Sequence, residues 1–113
     1  MARALDLNSI QESLLDLTLR DEARTVVHLD MPTEALINEL HSMEPELERM
    51  KTGDKVAIGM IYDLAARLIS CNFDGFTATG DELRTKYGLH LVATLTFFSS
   101  YMEAVETLIK EKN

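Results

Sequence analysis

The clearest hydrophobic pattern lies near the end of the chain, between Leu89 and Lys110. At the 100° per residue of an α-helix, its apolar residues fall into two adjacent rows. The first row is Leu91, Leu95, Phe98, Met102, Val105 and Ile109, and the second is Phe97, Tyr101, Ala104 and Leu108. Together they cover about half of the helix surface, more than a small domain needs from a helix on its edge. The pattern predicts that this helix is either central to the fold or completed by another polypeptide.

The second row is the candidate protein-binding site. We predict that Phe97, Tyr101, Ala104 and Leu108 contact a partner protein or a second subunit. Helical spacing is equally compatible with a row covered inside one monomer by the hairpin or the first helix, so both alternatives stay open. If the row is an interface, replacing Tyr101 and Leu108 with Asp should abolish association while the fold survives.

Before residue 30, apolar and polar residues alternate with a period of two. Leu15, Leu17 and Leu19 alternate with polar residues, and the run Thr25–Leu29 is β-branched and alternating. This predicts a β-hairpin that pairs residues 13–19 with residues 24–29. A helix over residues 8–19 is the competing interpretation, because the turn lacks Asn-Gly or Asp-Gly. Two strands alone are marginal in water, so the hairpin should pack on the helices or join a neighbour's sheet.

Helical spacing begins again after Pro32. Thr33 is a predicted N-cap, and the apolar stripe that follows passes through Pro45, where the missing N–H predicts a kink or a restart at Glu44. Gly53 should end this segment, and Asp54 should cap a second helix over residues 54–71.

A turn and two more helices complete the predicted fold. The turn is Asn72–Gly75, and a capping box, Thr79 with Glu82, starts a short helix that Gly88 closes before the long C-terminal helix. We therefore predict one domain, residues 1–113, of a predominantly α, α+β class. A small N-terminal hairpin (residues 13–29) packs on a bundle of about four helices (residues 33–111). Residues 1–11 have no firm period, which is compatible with a loose segment or a short turn.

Composition narrows the classes of partner. The net charge is −8 and Lys and Arg are not clustered, which disfavours nucleic acid and anionic membranes as targets. Cys71 is the only cysteine, so an intrachain disulfide is impossible and a reducing compartment is compatible. The N-terminal residues lack the uninterrupted apolar core of a signal peptide, and the longest apolar run, residues 56–69, is interrupted by Asp63 and Arg67. We expect a cytoplasmic protein.

Candidate catalytic and metal-binding patterns are weak. Residues 70–81 resemble a calcium loop only in part, because the bidentate Glu is missing and too few anionic oxygens converge. His28, His41 and His90 lie in three different predicted elements, which is a poor basis for a metal site. Ser99 and Ser100 have no histidine at a useful spacing, and the glycines are isolated. We therefore predict a non-enzymatic protein without catalytic residues, cofactor or metal.

One family resemblance extends over most of the chain, residues 13–113. The chain resembles the tail assembly chaperones of long-tailed bacteriophages and their prophages. The similarity lies in a Leu-rich hairpin followed by Met31-Pro32-Thr33, the turn Ser70–Gly75, the helix start Thr79–Glu82, Tyr87, the pairs Phe97-Phe98 and Tyr101-Met102, and a Lys112-Asn113 ending.

This resemblance implies a non-enzymatic role in the bacterial host cytoplasm. Proteins of this family bind the tape measure protein, keep it soluble and help to recruit tail tube subunits during tail assembly. Homo-oligomerisation is compatible with such a role. The alternative is a small acidic phage-encoded or bacterial inhibitor that docks on a basic site of another protein. Such an inhibitor should cluster its acidic residues on one face, whereas here they are spread from Asp6 to Glu111.

Overall fold

A computed structural model describes residues 13–111, and within that range the chain forms a two-stranded hairpin and five α-helices. The predominantly helical α+β class is therefore confirmed, while the prediction for residues 1–11 lies outside the described residues. In chain order the elements are β1 (Leu15–Thr18), β2 (Val26–Leu29), α1 (Glu34–Ser42), α2 (Glu44–Lys51), α3 (Lys55–Ile69), α4 (Gly80–Thr85) and α5 (Leu91–Glu111).

The hairpin is antiparallel, with Leu15 opposite Leu29 and Leu17 opposite Val27. The prediction of two strands is thus confirmed over the helical alternative for the residues described. In place of an Asn-Gly turn, the Asp21 carboxylate accepts hydrogen bonds from the Thr25 hydroxyl (2.6 Å) and backbone N–H (2.9 Å). These bonds, the hydroxyl first, hold the pKa of Asp21 below its ordinary value.

The helix boundaries follow local residue chemistry. Thr33 Oγ1 accepts from the Leu36 N–H at α1, and Asp54 Oδ1 accepts from two N–H groups at the start of α3. Pro45 occupies the first turn of α2, where its missing N–H costs nothing, so α1 and α2 are separate helices. This restart accounts for the five described helices where about four were predicted. Thr79 and Glu82 form the predicted capping box of α4.

The core is organised around α3 rather than α5. Eight of the fifteen residues of α3 are buried, among them Ile61, Leu64 and Leu68 with no exposed surface. The hairpin contributes Val27 and Leu29, and α5 contributes Phe98 and other large side chains. The C-terminal helix therefore lies against a core whose centre is a different helix.

The outer edge of β2 is covered by the turn after α3. The Asp30 N–H donates to the Cys71 carbonyl (2.9 Å), and the Phe73 N–H donates to the His28 carbonyl (3.0 Å). The Asp74 carboxylate accepts from the His28 backbone N–H (2.7 Å) and lies 3.1 Å from Nδ1 of its ring. These bonds, the backbone one first, lower the pKa of Asp74.

Asn72 holds that turn in shape. Its Nδ2 donates to the carbonyls of Ile69 (2.8 Å) and Phe76 (2.7 Å). Its Oδ1 accepts from the N–H groups of Asp74 (2.9 Å) and Phe76 (3.0 Å). The segment that resembles part of a calcium loop is therefore a turn whose polar side chains are used in hydrogen bonds within the protein.

Residues 87–90, the strap, connect α4 to α5 and run past the end of β1. The Arg20 N–H donates to the Tyr87 carbonyl (3.1 Å), and the Tyr62 hydroxyl donates to the Leu89 carbonyl (2.5 Å). Gly88 has φ +71°, and a Cβ there would lie 3.0 Å from Cβ of Arg20. A side chain at position 88 would thus be both strained and crowded.

Candidate protein-binding groove

The strap places the first half of α5 alongside β1 without closing the space between them. The Ala93 N–H donates to His90 Nδ1 (3.2 Å), so α5 begins after His90 rather than at the predicted Leu89. The side chains of Arg20 and His90 meet at the strap end of this space. The result is a groove bounded by one strand and one helix.

The groove has a volume of about 440 Å³, within the range of roughly 300–1,000 Å³ that is typical of binding pockets. Its apolar lining comes from both elements, and its polar side chains lie among them. The apolar residues are Leu15, Leu17, Leu89, Val92, Ala93 and Phe97, and the polar ones are Asp16, Thr18, Arg20, His90, Thr96 and Ser100. A groove with this lining is suited to an amphipathic or extended polypeptide segment.

Two of the seven large apolar side chains that are exposed among the described residues lie at the start of α5. Val92 is 67% exposed and Leu91 is 39% exposed, although both belong to a helix that contributes to the core. Of these two, Val92 lines the groove. Val92 therefore extends the apolar lining of the groove onto the neighbouring surface.

The four predicted interface residues divide into two pairs. Phe97 is 4% exposed and Tyr101 is 0% exposed, and both belong to the core of the single chain. Ala104 and Leu108 are half-buried. For Phe97 and Tyr101 the structure therefore supports the alternative of coverage within one monomer, except that Phe97 also lines the groove. Partner contact by Ala104 and Leu108 stays a prediction.

Burial also changes what the double substitution should do. The Tyr101 hydroxyl is buried with no hydrogen-bond partner among the described residues, and burial raises its pKa. A carboxylate at this position would be desolvated without a partner, which is strongly destabilising. We therefore now expect Tyr101→Asp to unfold the chain, so a test of binding must use exposed positions.

Sequence reasoning missed the contribution of β1 and of Val92. Val92 stands outside both apolar rows of α5, and Leu15 and Leu17 read as core-facing residues of a strand. The alternation in β1 predicts which face is apolar, but it does not predict that one edge of the strand lies open beside a helix. That placement depends on the contact between Arg20 and the distant Tyr87.

Reactive side chains are few in the described part of the chain. Among residues 13–111, no three His, Cys, Asp or Glu side chains come together as candidate metal ligands. Burial, followed by the charge of Asp30, raises the pKa of the Cys71 thiol, which lowers its reactivity as a nucleophile. None of the described helices combines the length and the apolar character needed to cross a membrane.

Comparison with protein-family models, with curated proteins and with solved structures finds no match to this chain.

Proposed function

We propose that this protein is a non-enzymatic tail assembly chaperone of a long-tailed bacteriophage or prophage. In this role it binds the tape measure protein and helps to recruit tail tube subunits in the host cytoplasm. The proposal rests on the family resemblance of the sequence, and the groove between β1 and α5 is the observation that supports it physically.

The groove suits the proposed partner because it is apolar and open. A carrier of a long helical protein needs a surface that excludes water from apolar side chains and still releases them during assembly. The groove volume of about 440 Å³ accommodates a short part of a partner, and such a limited contact favours exchange. The exposed Val92 at its border adds apolar area without belonging to the core.

Co-purification tests this function. The full chain, carrying an affinity tag, is co-expressed with a tagged fragment of the tape measure protein encoded in the same genome. We expect the two to co-elute and the fragment to become more soluble. A fragment that stays insoluble, or that elutes separately from a folded chain, would contradict the proposed function.

A matched pair of variants locates the contact. Val92 and Val56 are each the second residue of their helix, and they are 67% and 72% exposed. Only Val92 lines the groove. An Asp near a helix N-terminus is tolerated or favourable, so both Val92→Asp and Val56→Asp should fold. We expect Val92→Asp to lose the fragment and Val56→Asp to retain it, whereas equal retention would place the contact elsewhere.

A further inference from the structure

Among residues 13–111, two residues on the outer edge of β1 have backbone groups without a recorded partner. The bond from the Leu19 N–H to the Thr25 carbonyl makes 19–25 a hydrogen-bonded pair of the hairpin. Every second pair of an antiparallel ladder is of this kind, so 17–27 and 15–29 are hydrogen-bonded pairs as well. The alternation of an antiparallel ladder then directs the N–H and C=O groups of Asp16 and Thr18 away from β2. The next outward N–H, that of Arg20, already donates to Tyr87.

The same alternation directs the backbone groups of Val26, His28 and Asp30 away from β1. His28 and Asp30 direct their N–H groups away from β1, and both find acceptors in the turn at residues 71–74. Among residues 13–111, no acceptor or donor is recorded for the outward groups of Asp16 and Thr18. The outer edge of β2 is therefore covered at His28 and Asp30, whereas the outer edge of β1 can pair with a further strand at Asp16 and Thr18.

The groove lies directly beside this open edge. Leu15 and Leu17 line it from the strand, and Val92, Ala93 and Phe97 line it from α5. A strand added to β1 would place alternate side chains toward these residues and the others toward the exposed face that carries Asp16 and Thr18. Backbone pairing and side-chain burial would thus be satisfied together.

Charge specifies one further residue of such a strand. Asp16 is exposed, and its carboxylate accepts a hydrogen bond from the Ser13 hydroxyl (2.6 Å). Its cross-strand neighbour His28 bonds to Asp74 instead, and among the described residues no ion pair involves Asp16. A Lys or Arg directly opposite Asp16 on an added strand would be a favourable cross-strand pair.

We propose that β1 binds an extended segment of a partner protein as an antiparallel third strand of the sheet. The segment has two apolar residues that face the groove on either side of a Lys or Arg opposite Asp16. This mode of binding concerns the groove itself and does not require the partner to be a tape measure protein. It also differs from the insertion of a helix, because β1 contributes its backbone.

The probe is the synthetic peptide acetyl-Thr-Val-Lys-Val-Thr-amide, which keeps a Val on each side of the Lys that lies opposite Asp16. NMR titration of the full-length ¹⁵N-labelled chain should give saturable shifts confined to β1 and the first half of α5. The amides of Asp16 and Thr18 should exchange rapidly with solvent in the free chain and slowly in the complex. Absence of saturable binding would overturn the proposal.

Methylation of single peptide amides separates strand pairing from simple apolar contact. A methyl group on the Lys nitrogen removes the N–H that faces β1, and affinity should fall by about tenfold. A methyl group on a Val nitrogen, which faces away from β1, should leave affinity within about twofold. Equal effects of the two modifications would show that the backbone of β1 takes no part and would overturn the proposal.

Two protein variants complete the test. Asp16→Lys should weaken binding of the lysine peptide by about threefold and strengthen binding of a glutamate version by a similar factor. Thr18→Pro should abolish binding by removing an outward N–H, while Thr18→Val preserves it. If the free chain already protects the amides of Asp16 and Thr18, its own residues or a second copy occupy the edge. The proposal of a partner strand would then be wrong.

Discussion

The two outer edges of the hairpin differ in how many of their backbone groups are hydrogen-bonded to the rest of the protein. Along β2, the outward N–H groups of His28 and Asp30 are bound by the turn at residues 71–74, which Asn72 holds in place. Along β1, the outward groups of Asp16 and Thr18 face a groove. An isolated two-stranded hairpin is marginal, so the covered edge fixes the hairpin to the helices. Within residues 13–111, nothing pairs with the outward groups of Asp16 and Thr18, and the proposed partner strand would bind there.

The largest expected contrast between the strands comes from one cross-strand pair. Leu29 is fully buried, whereas its partner Leu15 is only half-buried beside the groove. Leu29→Ala should lower the free energy of unfolding by about 3 kcal/mol, and Leu15→Ala by about 1 kcal/mol. Urea denaturation followed by circular dichroism measures both. Equal losses would mean that β1 is buried as completely as β2.

The next effect concerns the turn that covers β2. Asn72→Ala removes four hydrogen bonds to backbone groups and should lower the free energy of unfolding by about 2 kcal/mol. Asn72→Asp keeps the acceptor and loses the two donated bonds, so an intermediate loss is expected. Hydrogen exchange of the Asp30 and Phe73 amides should accelerate in both variants. Unchanged exchange would indicate that the turn does not depend on Asn72.

Acid should loosen the covered edge through Asp74. Because hydrogen bonds from His28 hold the folded-state pKa of Asp74 below its ordinary value of 3.8, the ionised carboxylate stabilises the fold above that value. This stabilisation disappears as the pH falls through the lower, folded-state pKa. Asp74→Asn has no carboxylate at this position and should lack this pH-dependent stabilisation. The difference between the denaturation midpoints of the wild type and Asp74→Asn should therefore shrink as the pH falls below about 4. A gap between the two midpoints that stays constant from pH 6 to pH 2.5 would contradict this assignment.

The smallest effect lies in the loop that joins the two strands. Arg24 has φ +50°, a conformation that is costly for a residue with a Cβ. Arg24→Gly should raise the free energy of unfolding by about 0.5 kcal/mol, since part of the relieved strain is offset by the flexibility of glycine in the unfolded chain. Arg24→Ala keeps the Cβ and serves as the control. A gain in both variants would point to charge instead of backbone strain.

Local chemistry made much of the fold predictable. Thr33, Asp54 and the Thr79–Glu82 pair cap their helices through bonds that span three residues or fewer, so their role is evident in the sequence. Pro45 ends one helix and starts another for the same local reason. Alternation in Leu15–Thr18 and Val26–Leu29 predicted the two strands.

What covers each face could not be predicted in the same way. The spacing of Phe97 and Tyr101 defines one side of α5, but it contains no information on whether that side meets the core or another molecule. The structure places both in the core, and it places the groove where Val92 and β1 come together. That proximity depends on contacts between residues far apart in sequence, which a periodic pattern does not record.

The strap closes one end of the groove. The Tyr87 carbonyl already accepts the outward N–H of Arg20, and a Cβ at Gly88 would crowd Arg20. A guest segment therefore has to stop or turn aside before Arg20. Such an arrangement admits the terminus of a polypeptide or the arm of a tight bend, and it rejects a strand that continues straight through.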